Sequence, residues 1–186
     1  MANDTSDTIY QIFSKDMERA SRFGRGMQIF TERPQFNLAY TTDYYDWESL
    51  GKAQVVDVGG SSGHVSLALA RKFNNLSLTV QDMEQMVANV TVPEDVQGRV
   101  EFMIHDIFSP QPVQDADVYY LRWIMHNWSD KYCILILSAL LPALKPGAKV
   151  IIHESVMPEP GTTPLWKEKN LRYVRHDRDL HCTCTD

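Results

Sequence analysis

Val55-Val56-Asp57-Val58-Gly59-Gly60-Ser61-Ser62-Gly63-His64 is the stretch from which the architecture follows. Val55, Val56 and Val58 are β-branched and leave no polar alternation, which suits a strand buried on both faces, as in a parallel sheet. Gly59, Gly60 and Gly63 let the chain turn sharply and let a ligand approach where a Cβ would otherwise stand. From His64 to Phe73 the apolar residues Val65, Ala68, Leu69 and Phe73 fall on one helical face. Strand, glycine turn and helix together make a nucleotide-type pocket, with the helix N-terminus aimed at the ligand.

The flanking chain repeats the alternation of strand and helix. Leu76 to Gln81 predicts a second strand ending at Asp82, and Glu84 to Ala88 a short helix. Pro93 and Gly98 mark a loop, Arg99 to Ile104 a third strand closed by Asp106, and Ala116 to Leu121 a fourth. Ser129 or Asp130 is expected to cap an apolar helix from Tyr132 to about Leu141. Lys145-Pro146-Gly147 then turns the chain into a fifth strand, Lys149 to Ile152, that ends near Glu154. Upstream, Ser14 is a candidate cap for a helix whose apolar positions are Met17, Ala20, Phe23, Met27 and Phe30. Tyr40 to Leu50 is rich in aromatics, which more often pack a core than bind a ligand. The order of elements predicts an α/β fold with a doubly wound, mostly parallel sheet and right-handed crossovers.

At 186 residues the chain is long enough for one domain with a sizeable core. Its net charge of −6 argues against a nucleic-acid partner, which wants a basic face. No apolar run approaches the roughly 20 residues of a membrane span. The polar, acidic start is unlike a targeting peptide. Three cysteines form no even framework, which fits a reducing, cytoplasmic setting. Cys182 and Cys184 with His181 are too sparse for a zinc site, so no metal is expected.

In such sheets ligands bind beyond the carboxyl ends of the strands. A polar residue stands at or just past that end of each predicted strand: Asp57, Asp82, Asp106, His126 and Glu154. Asp82 follows Gly63 by nineteen residues, the place of an acid that hydrogen-bonds ribose hydroxyls. NAD and S-adenosylmethionine both carry such a ribose. The dinucleotide fingerprint G-x-G-x-x-G fails, because its first glycine would fall on Val58. What stands there is Asp57-x-Gly59-Gly60-x-x-Gly63. An acid before the turn is ill suited to pyrophosphate and better suited to the amino group of a methionine-like moiety; alternatively, Asp57 serves its own turn.

Val55 to Phe73, Val80-Gln81-Asp82, His105-Asp106-Ile107-Phe108 and Leu121 to Asp130 resemble fungal members of the caffeate-type O-methyltransferase family. Tyr45-Asp46-Trp47, Ala143 to Gly147 and Glu154 to Pro160 fit the same pattern. The most specific part is Arg122-Trp123-Ile124-Met125-His126-Asn127-Trp128-Ser129-Asp130. The resemblance implies a Rossmann-like class I methyltransferase fold that uses S-adenosylmethionine. It implies that Gly59 and Gly60 lie against the cofactor, Asp82 at its ribose, Asp106 and Ile107 at its adenine, and Arg122 as a further contact. His126 matches the catalytic base and Glu154 an acid that positions it. Trp123, Met125 and Trp128 are candidates for the wall of an aromatic acceptor's pocket and equally for the core. The other histidines, His64, His105, His153, His176 and His181, are read as ordinary structural residues.

The resemblance implies a cytoplasmic enzyme of secondary metabolism with a small phenolic acceptor, and a homodimer in full-length relatives. Residues 1–50 are expected to be an N-terminal helical segment, 51–180 the cofactor-binding domain and 181–186 an atypical tail. Most of the relatives' N-terminal dimerisation region and their last two strands have no counterpart, so a C-terminally truncated domain is expected. The alternatives are a catalytically inactive remnant that still binds cofactor and, disfavoured by the failed fingerprint, an NAD(P) oxidoreductase.

Overall fold

A computed structural model of the chain describes residues 37–156 and 158–166, with scattered positions between 15 and 29 and at 168–169. Among the described residues five strands form one sheet: β1 (Ala53–Val58), β2 (Leu76–Asp82), β3 (Val100–Ile104), β4 (Val118–Arg122) and β5 (Lys149–His153). Their order is β3-β2-β1-β4-β5 and every pairing is parallel. Among the helices are α1 (Ala39–Thr42), α2 (His64–Lys72), α3 (Glu84–Val87) and α4 (Asp130–Leu140).

β1 is central, and its register puts Asp57 beside Val80 on one side and Tyr120 on the other. Side chains alternate across the sheet. Val55, Val118 and Tyr120 therefore face one core, closed by Val65, Leu69 and Ala70 of α2 and by Trp47. Val56, Val58, Tyr119 and Leu121 face the other, closed by Ile136 and Leu140 of α4 and by Ala143. Burial on both faces explains why Val55, Val56 and Val58 are apolar whichever face they point to, each valine contributing on the order of 1.5 kcal/mol. Winding outward from β1 in both directions opens a crevice beyond the carboxyl ends of β1 and β4.

The expected strands and helices are present, with shifted ends. β4 starts at Val118 rather than Ala116. Asp117 just before it still bonds through its backbone to Gln54 and Lys149, at 3.0 and 2.9 Å, while its carboxylate accepts the Gln54 N–H (2.7 Å) and pairs with Lys145 (2.5 Å). α4 starts at Asp130, two residues early. Ser129 holds the cap position in an extended conformation but makes no side-chain capping bond. The aromatic run before β1 divides. Trp47 is buried and packs edge-on against Tyr120, whereas Tyr40 and Tyr44 are exposed. The proposed Ser14 cap and the 181–186 tail lie outside the described residues, as do His176, His181, Cys182 and Cys184.

Candidate functional site

The glycine turn hangs from β2. The N–H groups of Gly59 and Gly60 both donate to the Gln81 carbonyl, at 2.8 and 3.0 Å. A Cβ on Gly60 would stand 2.6 Å from Asp57 Oδ2 and 2.8 Å from Val80, so only glycine lets the turn lie this close to the strand. On Gly59 it would strike the end of the Ile124 side chain, from the loop after β4. The turn and the His126 loop are therefore in contact.

Asp57 lies beneath the turn, 3% exposed. Its Oδ2 accepts the Ser66 hydroxyl at 2.6 Å, tying β1 to the first turn of α2. Burial pushes its carboxyl up to about 6, although the Ser66 hydrogen bond and the Arg122 charge pull the other way. Asp82 sits at the end of β2 with Oδ2 accepting the Ser61 N–H (2.8 Å) and Oδ1 the Met83 N–H (2.7 Å). Burial raises its carboxyl as well. Ser61 adopts a left-handed φ of 53°, a conformation costing a non-glycine residue about 1–2 kcal/mol. Asp106 accepts the Phe108 N–H (3.1 Å), and Ile107 packs against the α4-side core.

Arg122 closes β4 on the α2 face, buried, with its guanidinium 3.6 Å from the centre of the Trp123 ring. Trp123 also has a left-handed φ, 58°, and its N–H donates to the His153 carbonyl at 3.1 Å. The chain then coils through a 3-10 turn, Met125–Asn127, that carries His126. Asn127 Nδ2 donates to the Trp123 carbonyl at 3.1 Å, and the Cys133 thiol from α4 lies 3.5 Å from the Met125 carbonyl. Met125 and Trp128 pack against the α4-side core, and Phe108 meets Trp128 edge-on. His126 Nδ1 is 2.6 Å from Glu154 Oε2, just past β5. A carboxylate only accepts hydrogen bonds, so Nδ1 is the nitrogen that carries a proton in this contact.

His153 behaves as the structural residue expected: Nδ1 bonds the Tyr120 hydroxyl at 2.8 Å, which also meets Thr41 Oγ1 at 3.0 Å. His64 does not, because both its ring nitrogens are buried without a hydrogen-bond partner. Ser61 Oγ is buried and unpartnered too. Sequence reasoning passed over Ser61, His64 and Ser66, because their surroundings come from α2 folding back over β1 and β4. Among the described residues, no group of three or more metal-ligating side chains comes together, and no helix is long and apolar enough to cross a membrane.

A parallel sheet wound outward in both directions from β1, with acids at strand ends and a histidine–glutamate pair over the β4–β5 edge, has the architecture of class I methyltransferases. The chain belongs to the O-methyltransferase domain family, whose pattern matches residues 4–177. It is 46% identical over 176 residues to the O-methyltransferase PaMT of Phomopsis amygdali, covering 92% of this chain and 41% of that protein. It is 41% identical to the grayanic acid biosynthesis cluster O-methyltransferase of Cladonia grayi, covering 92% of this chain and 39% of that one. Among solved structures it is similar to NcsB1, an O-methyltransferase from neocarzinostatin biosynthesis crystallised with S-adenosyl-L-homocysteine and 1,4-dihydroxy-2-naphthoic acid. That likeness has a TM-score of 0.75 at 26% identity, covering 91% of this chain and 50% of NcsB1. The chain thus spans about two-fifths of the length of these curated relatives.

Proposed function

We propose that this chain binds S-adenosylmethionine and, with His126 as general base, methylates a phenolic hydroxyl of a small secondary metabolite. The observation that carries the reading is the 2.6 Å contact between His126 Nδ1 and Glu154, on a loop whose Ile124 touches the glycine turn. The residues also fit the cofactor. Ser61 Oγ in the turn and both His64 nitrogens at the start of α2 are buried polar atoms in need of partners.

When bound, S-adenosylmethionine supplies a methyl group made electrophilic by its sulfonium. Gly59 and Gly60 line its path, Asp82 accepts from the ribose hydroxyls, Asp106 and Ile107 border the adenine, and Arg122 meets the amino-acid end. Asp57 acts from below, holding the turn against α2. A phenol has a pKa near 10 and is mostly protonated at neutral pH. His126 Nε2 takes the phenolic proton while Glu154 holds the ring in orientation. General-base help of this kind contributes about 10²–10⁴-fold, and alignment supplies much of the rest. The setting proposed is cytoplasmic secondary metabolism, in keeping with relatives named for such clusters.

A second reading, cofactor binding without turnover, rests on β5. Val150 and Ile152 are exposed on this edge strand, so the wall leading to Glu154 is open to water on that side. One experiment separates the readings. S-adenosylhomocysteine and NAD are titrated separately against the purified chain, followed by single-turnover methylation of a panel of phenols with labelled S-adenosylmethionine. Binding of the sulfur nucleoside with methyl transfer supports the enzyme. Binding without transfer leaves the second reading, and binding of NAD alone defeats both.

A further inference from the structure

His64 is the first residue of α2, directly after Gly63, whose φ of 73° turns the chain into the helix. Both ring nitrogens are buried and neither has a hydrogen-bond partner. A neutral imidazole has one N–H donor and one acceptor, and leaving such groups buried and unpaired destabilises the fold. Charges of both signs meet here, with the carboxylates of Asp57 and Glu154 acting on the Arg122 guanidinium. Val118 and Tyr120 of β4 face α2, so Arg122, on the same alternation, lies beneath the start of that helix. The helix N-terminus adds partial positive charge of its own. A fixed guanidinium, a helix start and an unspent ring donor form a receptor for a small anion.

We propose that His64 donates a hydrogen bond to the carboxylate at the amino-acid end of the cofactor, sharing that group with Arg122. The inference rests on the S-adenosylmethionine reading and deepens it. S-adenosylmethionine carries a single carboxylate, and no other part of it is anionic. Burial and the Arg122 charge push the His64 ring down to about 4. His64 is therefore a neutral donor at physiological pH, and Arg122 alone supplies the formal charge. This arrangement avoids setting two cations side by side in a buried site when the ligand is absent.

Calorimetric titration of the chain with S-adenosylhomocysteine and with methylthioadenosine tests the idea, because the second ligand keeps the nucleoside and lacks the amino-acid end. His64→Leu is expected to weaken S-adenosylhomocysteine about tenfold and to leave methylthioadenosine within twofold. His64→Gln, which keeps an N–H donor, should recover most of the loss. Equal weakening of both ligands, or of neither, would overturn the proposal while leaving the cofactor reading intact. Failure of the unmutated chain to bind S-adenosylhomocysteine at all would overturn the cofactor reading itself, and this inference with it.

Discussion

His126 Nδ1 and Glu154 Oε2 lie 2.6 Å apart although 28 residues separate them in the chain. One stands on the turn after β4 and the other just past β5, and the parallel register of Arg122 with His153 brings the two loops together. The Glu154 carboxylate also approaches the His126 backbone N–H, at 3.4 Å, so it fixes both the loop and the ring. Both side chains remain partly open, at 24% and 15%.

If the pair acts as base and positioner, His126→Ala should lower single-turnover methylation by about 10²–10⁴-fold. Affinity for S-adenosylhomocysteine should stay within twofold. Glu154→Gln should also slow turnover with cofactor affinity preserved, because the amide orients the ring less well. Calorimetry paired with rapid-quench assays reads both, and loss of cofactor binding in His126→Ala would contradict the assignment.

Asp57 makes stability depend on pH. Its folded-state carboxyl is raised to about 6, against an ordinary value near 4. Below pH 4 both states are protonated and the group costs nothing. As pH rises through 4 to 6 the unfolded chain ionises first, so stability falls, by up to about 3 kcal/mol above pH 6. Asp57→Asn keeps an acceptor for Ser66 and removes that cost. It should melt several degrees higher than the parent at pH 7.5 and with it at pH 4. An equal difference at both pH values would show that ionisation is not the cause.

Asp82 both holds the turn, through the Ser61 N–H, and is offered to the ribose. Asp82→Ala should weaken S-adenosylhomocysteine by about 1–3 kcal/mol, the range for a lost charged hydrogen bond. Methylthioadenosine, which keeps the ribose, should weaken equally, and a loss confined to S-adenosylhomocysteine would place Asp82 away from the sugar.

Val150 and Ile152 on β5 are 37% and 47% exposed. An exposed apolar edge strand invites pairing between chains. Ile152→Lys should raise soluble yield and reduce concentration-dependent light scattering, with the melting temperature nearly unchanged. Unaltered scattering would mean that association does not run through this edge.

The sequence determined the sheet. Val55, Val56 and Val58 could be satisfied only by burial on both faces, and the glycines after them only by a tight turn into a helix. The acids at strand ends were legible for the same reason: each stands at or just past the end of an apolar run. Element ends were less legible, because contacts such as those of the Asp117 carboxylate with Gln54 and Lys145 join residues distant in the chain and leave no local pattern.

What only the tertiary structure decided was where each side chain turns. Asp57, read as facing a ligand or serving its own turn, lies under Gly60 with Ser66 on it. His64, read as an ordinary packed histidine, has two buried nitrogens with no hydrogen-bond partner at the start of α2, within reach of the Arg122 charge. No spacing in the sequence could have said so. A strand's alternation names the face, but the neighbours on that face come from helices that cross over the sheet and return.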